Sequence, residues 1–162
     1  MAAIKRIIGI DPGLVHTGWG VIDAAGNERK YVASGVILPK TKDELSARLA
    51  FIFGGLCEVI DLWKPSECAI EITFSNKNPK TTLLLGHARA AALLAAAIKG
   101  LPVFEYEPNK IKKAVSAAGH ADKTQIDRMV RIFLPTARPK SPDESDALAI
   151  ALTRANRAGF QF

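Results

Sequence analysis

The chain has 162 residues, of which 48% are hydrophobic and 23% charged, and its net charge is +6. This composition excludes an intrinsically disordered chain and suits one domain with a buried core. The two cysteines lack the spacing of a zinc or redox site, so we predict reduced thiols in a cytoplasmic protein. The N-terminus has no long apolar run, and the apolar stretch 83–98 contains His87 and Arg89. We therefore expect neither a targeting segment nor a membrane span.

Positive charge is concentrated in the middle of the chain. Residues 75–140 contain twelve Lys or Arg and four Asp or Glu, a net charge of +8, which leaves −2 for the rest. A basic region beside an acidic remainder is typical of proteins that bind a polyanion such as nucleic acid. The charge alone fits equally well a basic, solvated surface that has no partner.

The hydrophobic pattern and the turn residues predict three strands, followed by alternating helices and strands. The predicted strands are 4–11, 17–23, 28–38, 67–74 and 102–106. The predicted helices are one that runs from the Thr41–Glu44 segment to Pro65, and then 81–99, 108–118, 122–134 and 141–159. This order indicates a single layered α/β domain over residues 1–155, with a flexible tail at 156–162.

Three of the predicted helices are preceded by a capping box. In this motif one side chain caps a free backbone N–H, and the side chain three positions later reaches back. The three segments are Thr41–Glu44, Asp122–Gln125 and Ser141–Glu144.

Four carboxylates stand where surface carboxylates are rare. Asp11 ends the first predicted strand, Glu71 lies inside the fourth, and Asp143 and Asp146 share one face at the start of the last helix. A charge in an apolar segment is costly unless it is paired or holds a metal. Brought together, the four carboxylates would form an oxygen-only site for two Mg²⁺ or Mn²⁺ ions about 3.5–4 Å apart, which indicates phosphate chemistry.

Asp11 also has a simpler interpretation. It precedes a Pro-Gly pair, and Asp is common at the start of turns. However, Gly13, Gly18 and Gly20 keep the neighbouring backbone bare, which would let a ligand or phosphate approach closely.

The other carboxylates have structural alternatives too. Glu71 lies in an apolar run and could form an ion pair with a distant arginine, for which Arg89 is the candidate. Asp143 suits the N-terminus of a helix through the helix dipole. Asp146 lies beyond the first turn, where that benefit fades, so we expect it to face inward.

Several motifs occur in an order that resembles a known family. They include GIDPG-x-x-x-TGWGVI, AIE-x-x-F-x-x-KNP and D-x-x-DALAIA. Over about residues 4–155 the chain resembles the RuvC-type crossover junction endodeoxyribonucleases, the bacterial Holliday junction resolvases. The resemblance implies an RNase H-like fold, with a mixed five-stranded sheet flanked by helices.

The resemblance also implies an activity and its partners. A homodimer would place two active sites on a four-way DNA junction, and each site would make one of two symmetric nicks that leave a 5′-phosphate and a 3′-hydroxyl. The implied partner proteins are the junction-binding RuvA and the motor RuvB, and the implied location is the cytoplasm.

Carried over position by position, the resemblance implies a set of site residues. The implied metal-binding and catalytic residues are Asp11, Glu71, Asp143 and Asp146. The implied junction-binding residues are Phe74, Lys112 and Lys123. From its type alone, Phe74 could stack on an unpaired base or belong to the core. The neighbouring lysines that could contact phosphate, or simply be solvated, are Lys77, Lys80 and Lys113.

Two other functions compete with a junction nuclease. A strand that ends in GIDPG before a Thr-Gly hairpin also resembles the phosphate loop of actin-like and sugar-kinase phosphotransferases. Those proteins need two such domains, and a chain of 162 residues is expected to be too short for that. A junction-binding module without catalysis would be expected to lack a carboxylate, and all four are present.

Overall fold

A computed structural model describes residues 2–72, 77–116 and 122–158. The strands are β1 (Lys5–Asp11), β2 (Thr17–Ala25), β3 (Glu28–Ile37), β4 (Glu67–Glu71) and β5 (Val103–Tyr106). The helices are α1 (Leu45–Trp63), α2 (Pro79–Ile98), α3 (Pro108–Ser116), α4 (Lys123–Phe133) and α5 (Pro142–Ala158). The strands form one five-stranded sheet with the order β3-β2-β1-β4-β5.

The sheet is mixed, as predicted. β1, β2 and β3 form an antiparallel meander, whereas β4 pairs in parallel with both β1 and β5. Parallel neighbours need long crossover connections, and α1 and α2 supply them before β4 and β5. As a result, the carboxyl ends of β1 and β4 lie at the same edge of the sheet.

The sheet has a hydrophobic layer on each face. Successive residues of a strand point to opposite faces. Ile7 accordingly packs in a cluster with residues of α3, α4 and α5, whereas Ile8 and Ile10 pack with residues of α1 and α2. All three isoleucines are fully buried. β1 is therefore the central strand of the sheet and is packed on both faces, up to Asp11 at its carboxyl end.

Small residues of β1 and β2 allow α5 to lie directly on the sheet. A Cβ atom on Gly9 would collide with the carbonyl oxygen of Ala147, and one on Gly18 would collide with that of Asp143. Gly20 is likewise covered by α5. The prediction that Gly18 and Gly20 admit a phosphate is therefore wrong, because the space above them is filled by the helix that carries two of the four carboxylates.

Two of the three predicted capping boxes are supported. The Asp122 carboxylate accepts a hydrogen bond from the Gln125 backbone N–H at 2.8 Å. The Glu144 backbone N–H donates to the Ser141 hydroxyl at 3.4 Å, and the Ser141 hydroxyl donates to the Glu144 carboxylate at 3.4 Å. These caps hold the starts of α4 and α5, which border the same side of the domain.

The capping box predicted at Thr41 is wrong. α1 begins at Leu45 after an extended Glu44, and no side chain caps it. The preceding residues instead form a turn, in which the Asp43 N–H donates to the Lys40 carbonyl oxygen at 3.1 Å. This turn leaves Thr41 too early in the chain to reach the first turn of the helix.

The helix α2 is long and apolar enough to cross a membrane by length and composition, and 28% of its most apolar window is buried. The core helix of a soluble protein passes the same test. Fully buried side chains of α2 pack in the layer formed with α1 under the sheet; they include Ala92, Ala95 and Ala96. This is the position of a crossover helix, and the opposite face of α2 remains exposed.

The boundary predicted at residue 155 falls inside α5, which continues to Ala158. Asn156 takes part in the packing, since its amide donates to the Ala114 carbonyl oxygen at 3.2 Å. Residues 159–162 lie outside the described residues, as do the parts of the predicted elements that cover 73–76 and 117–121.

Candidate functional site

Two of the four carboxylates leave the sheet side by side. Asp11 is the last residue of β1, as predicted, and Glu71 is the last residue of β4. Ile10 and Ile70 are parallel partners in the sheet, so the residues that follow them emerge at the same edge. Glu71 therefore lies at the end of its strand and not within it, which corrects the prediction and brings it closer to Asp11.

The loop after Asp11 is tightly closed. The Thr17 hydroxyl donates to the Gly13 carbonyl oxygen at 2.8 Å and accepts from the Gly13 N–H at 3.2 Å. A Cβ atom on Gly13 would collide with the carbonyl oxygen of His16. The turn thus requires a glycine at position 13 for its own geometry, and it directs the chain back into β2 beside Asp11.

The helix α5 brings the other two carboxylates to the same place. Its first helical residue is Pro142, which suits the first turn because its missing N–H would have no intrahelical partner. Asp143 follows directly, and its backbone lies against Gly18 of β2, the sheet partner of Asp11. Asp146 is one turn further along, with 28% of its side chain exposed.

Asp11, Glu71 and Asp146 line one cavity of about 560 Å³. The remaining walls come from α3, α4 and α5 and from the residue before α4; they are Pro108, Ile111, Lys112, Asp122, Lys123, Ile126, Ala149 and Ile150. The cavity therefore combines carboxylates from β1, β4, α5 and the residue before α4, lysines from α3 and α4, and apolar side chains from the three helices.

The carboxylates are close enough to change one another's acidity. Burial raises the pKa of Asp11 to about 7, with further increases from the negative charges of Asp146, Glu71 and Asp143, against a smaller decrease from Lys123. Asp143 does not line the cavity, but its influence on Asp11 places it within electrostatic range. At neutral pH this group of carboxylates thus favours either a bound proton or a bound cation.

Glu71 and Asp146 show the same tendency. Burial raises the pKa of Glu71, and the charge of Asp146 adds to the increase, whereas Lys112 and Lys123 oppose it. Burial also raises the pKa of Asp146, where Lys123 opposes the increase and Asp143 adds to it. The Lys123 ammonium lies 4.0 Å from an Asp146 carboxylate oxygen, so one lysine partly neutralises the cluster.

The donor set fits a hard divalent cation in its chemistry. Oxygen ligands suit Mg²⁺ or Mn²⁺, and Mg²⁺ usually keeps several waters while binding one or two carboxylates. Within residues 2–72, 77–116 and 122–158, no group of three or more His, Cys, Asp or Glu side chains is close enough to hold a metal ion as it stands. Asp11, Glu71 and Asp146 line the cavity without forming such a group, and Asp143 lies outside the lining.

The proposed ion pair between Glu71 and Arg89 is wrong. Arg89 on α2 pairs instead with Glu105 on β5. The cations that act on Glu71 are Lys112 and Lys123, which come from α3 and α4. Glu71 therefore faces the cavity that the other carboxylates share.

The predicted DNA-binding residues fall into two groups. Lys112 and Lys123 line the cavity, whereas Lys113 is exposed on α3. Lys77 and Lys80 are exposed around the start of α2, which Asn78 caps by accepting from the Lys80 N–H at 3.0 Å. Phe74 lies outside the described residues.

A second, polar cavity of about 350 Å³ adjoins the first and shares Lys123 and Asp146 with it. Sequence reasoning missed this feature. Arg131 lines the second cavity and pairs with Asp127 at 2.9 Å. Asp122 was likewise predicted only as a cap, although it also borders the first cavity. Only the packing of α4 beside α5 reveals these positions.

The mixed sheet, with acidic side chains at the ends of β1 and β4, belongs to an RNase H-like domain. Residues 7–154 match the profile of the family described as crossover junction endodeoxyribonuclease RuvC. The chain belongs to this family, which confirms the resemblance in the sequence motifs.

Relatives that carry the family's name span nearly the whole chain. The protein from Nitrobacter hamburgensis is 53% identical over 154 residues, which cover 95% of this chain and 91% of that protein. The protein from Bradyrhizobium diazoefficiens is 55% identical over 151 residues, which cover 93% and 86%.

Solved structures agree with this assignment. The structure of Thermus thermophilus RuvC in complex with a Holliday junction substrate has a TM-score of 0.88 and 32% identity, and the match covers 96% of this chain and 95% of that one. A yeast mitochondrial Holliday junction resolvase has a TM-score of 0.63 at 13% identity, which shows a shared fold.

Proposed function

We propose that this protein resolves four-way DNA junctions by paired, symmetric nicks that leave a 5′-phosphate and a 3′-hydroxyl, in DNA recombination and repair. The observation that carries the proposal is a single cavity lined by Asp11, Glu71 and Asp146 in a chain of the RuvC family. Asp143 adjoins these residues at the start of α5. The catalytic group would be these four carboxylates.

The same four carboxylates would hold the divalent metal, which we propose to be two Mg²⁺ ions per site, with Mn²⁺ as a substitute. When bound, such ions lower the pKa of a coordinated water and stabilise the charge on a leaving oxygen. The raised pKa of Asp11 supports this role, because a buried acid among other acids gains most from a nearby cation. Ile111 and Ile126 contribute apolar side chains to the cavity lining.

The lysines would hold the DNA backbone over the carboxylates. Lys112 and Lys123 line the cavity and act electrostatically on Glu71, so a phosphate bound in the cavity would contact both the lysines and the metal-binding side chains. Lys123 would then exchange its 4.0 Å pairing with Asp146 for the phosphate. Lys77, Lys80 and Lys113 would contact flanking phosphates, and we propose that Phe74 stacks on a base at the junction.

Two nicks require two active sites, and we propose a homodimer formed through the outer face of α1 and α2. An apolar hollow of about 350 Å³ opens on this face and is lined by Leu49, Ala50, Phe53, His87, Ala90, Ala91 and Leu94. Large apolar residues of α1 and α2 are more than half exposed; they are Phe51, Leu62, Leu83, Leu94 and Ile98. Exposed apolar clusters of this kind usually mark an interface. By family membership, RuvA and RuvB are the proposed partner proteins, and the proposed location is the bacterial cytoplasm.

The test uses a synthetic four-way junction and a linear duplex of the same sequence. Wild-type protein with Mg²⁺ should nick two opposite strands of the junction and leave the duplex intact. Asp146→Asn should bind the junction with wild-type affinity but lose nicking, because one oxygen ligand has become an amide. Nicking of junction and duplex at equal rates would contradict the function, and wild-type nicking by Asp146→Asn would contradict the site.

A further inference from the structure

A buried ion pair joins α5 to β4 at the end of the strand remote from the carboxylates. The Arg154 Nε donates to the Glu67 Oε2 at 2.7 Å, and only 16% and 11% of the two side chains are exposed. The ammonium of Lys5 on β1 reaches the other Glu67 oxygen at 3.2 Å. Glu67 is thus held from both sides, and these hydrogen bonds with Arg154, and then Lys5, lower its pKa despite its burial.

Arg154 also contacts β5. Its guanidinium lies 3.4 Å from the centre of the Phe104 ring, and it hydrogen-bonds to the side chain of Tyr106. The attraction between a guanidinium group and an aromatic ring is stronger when the pair is shielded from water. One side chain of α5 is therefore tied to two strands, and this contact is distinct from the apolar packing along the rest of the helix.

The spacing of these residues connects the ion pair to the cavity. Glu67 and Glu71 begin and end β4 and are separated by about 13 Å at a rise of about 3.3 Å per residue. Asp146 and Arg154 are eight residues apart on α5, which corresponds to about 12 Å at 1.5 Å per residue. Because the two spans nearly match, a contact between Glu67 and Arg154 determines where Asp146 stands relative to Glu71.

At the other end of these two spans, the carboxylates of Glu71 and Asp146 repel each other. Glu71 and Asp146 line the same cavity and act on one another electrostatically. Without a restraint, α5 could tilt or slide along the sheet to separate the two carboxylates. The apolar contacts of the helix are non-directional, whereas a buried, hydrogen-bonded ion pair has a narrow geometric optimum.

We propose that Arg154, through Glu67, is a positioning residue that holds α5 in register on β4 and so sets the separation between Asp146 and Glu71 in the cavity. The inference rests on the proposed metal-binding role of those two carboxylates. Arg154 itself does not line the cavity, so its effect on the reaction is indirect.

The test compares Arg154→Met with Arg6→Met. Arg6 is a matched control, because it forms a two-pronged ion pair with Asp23 at 2.8 and 2.9 Å and also donates to the Trp63 carbonyl oxygen at 3.0 Å. These contacts join β1, β2 and the end of α1, away from α5. The measurements are the free energy of unfolding, the Kd for Mn²⁺ by calorimetry, the Mn²⁺ concentration at half-maximal nicking, and the junction Kd without divalent metal.

Both variants should be less stable than wild type, but only Arg154→Met should bind Mn²⁺ more weakly, by up to about tenfold, which is the lower end of the effect of groups that contact metal ligands directly. The Mn²⁺ concentration at half-maximal nicking should rise by a similar factor, and the Kd for the junction should stay unchanged. Arg154→Lys should recover part of the loss, because an ammonium can still pair with Glu67.

Equal Mn²⁺ affinity in Arg154→Met and Arg6→Met would overturn the inference, whatever their stabilities. If Arg154→Met does not fold, Glu67→Gln and its control Asp23→Asn decide by the same comparison. If wild-type protein neither binds Mn²⁺ nor nicks a junction, the proposed function fails first, and the inference fails with it.

Discussion

The substitution Gly18→Ala tests whether close packing of α5 places the acidic cluster. Gly18 is the sheet partner of Asp11, and it also supports the backbone of Asp143. A Cβ atom at this position would lie 2.7 Å from the Asp143 carbonyl carbon, whereas carbon atoms normally pack at about 3.5–4.0 Å. The first turn of α5 must therefore retreat from β2 by about 1 Å.

Two consequences of this retreat can be measured. Overpacking of this kind costs about 1–3 kcal/mol, which denaturant unfolding should detect. A displacement of about 1 Å at a catalytic group can reduce the rate about 100-fold. We expect single-turnover nicking of a four-way junction to fall by that order, with junction affinity unchanged because the lysines of α3 and α4 are untouched.

Gly54→Ala provides the control. Gly54 lies within α1, and an added Cβ atom there would meet nothing within 4 Å. Since alanine favours a helix over glycine by up to about 1 kcal/mol, this variant should be slightly more stable, which separates overpacking at Gly18 from the ordinary effect of replacing glycine by alanine. A folded Gly18→Ala protein that also nicks at the wild-type rate would refute the argument that the helix position determines the site.

Three further predictions concern charge. Lys112→Glu should weaken junction binding and reduce the slope of log affinity against log salt by about 0.9 per lost phosphate contact, whereas Lys42→Glu, in the connection between β3 and α1, should change neither. Without metal, Asp11→Asn should stabilise the protein at pH 8 by up to about 4 kcal/mol, because the native pKa of Asp11, near 7, exceeds the unfolded value of 3.8. This gain in stability should vanish as the pH falls towards 4. A variant that is no more stable than wild type at pH 8 would contradict the assigned electrostatics. Hydrogen bonding, chiefly from Arg154, lowers the pKa of Glu67, so the stability that Glu67 contributes is present above pH 4.5 and is lost as pH falls through the native pKa. Glu67→Gln should therefore destabilise the protein at pH 7 and have less effect in urea melts at pH 3.

The secondary structure follows largely from local patterns in the chain. Each predicted strand and helix has a counterpart among the described elements, because apolar periodicity and turn residues act over a few positions. The local signal failed at Thr41, where a turn with the right composition for a capping box precedes a helix that begins only at Leu45. The amino-acid preferences of turns and of helix N-termini are too similar to show whether this segment forms a turn or a capping box.

The candidate site was predictable to the extent that it depends on residue type. An aspartate that ends an apolar strand, or a glutamate in an apolar run, is unusual enough to be noticed without coordinates, and Asp11 and Glu71 do emerge side by side. Sequence did not reveal which cations face Glu71, since Lys112 and Lys123 come from helices about 40 and 50 residues later.

Sequence by itself thus predicted the elements and the family and singled out four acidic residues as candidates, because each leaves a local pattern or a motif in the chain. Only the tertiary structure decided that the surface of Gly18 is covered by α5 and is not open to a phosphate. It also decided that Arg89 forms its ion pair with Glu105. It alone also decided that Arg154 meets Glu67, 87 positions away. The physical reason is that contact between distant segments depends on how the helix layers settle on the sheet, and no short stretch of residues encodes that arrangement.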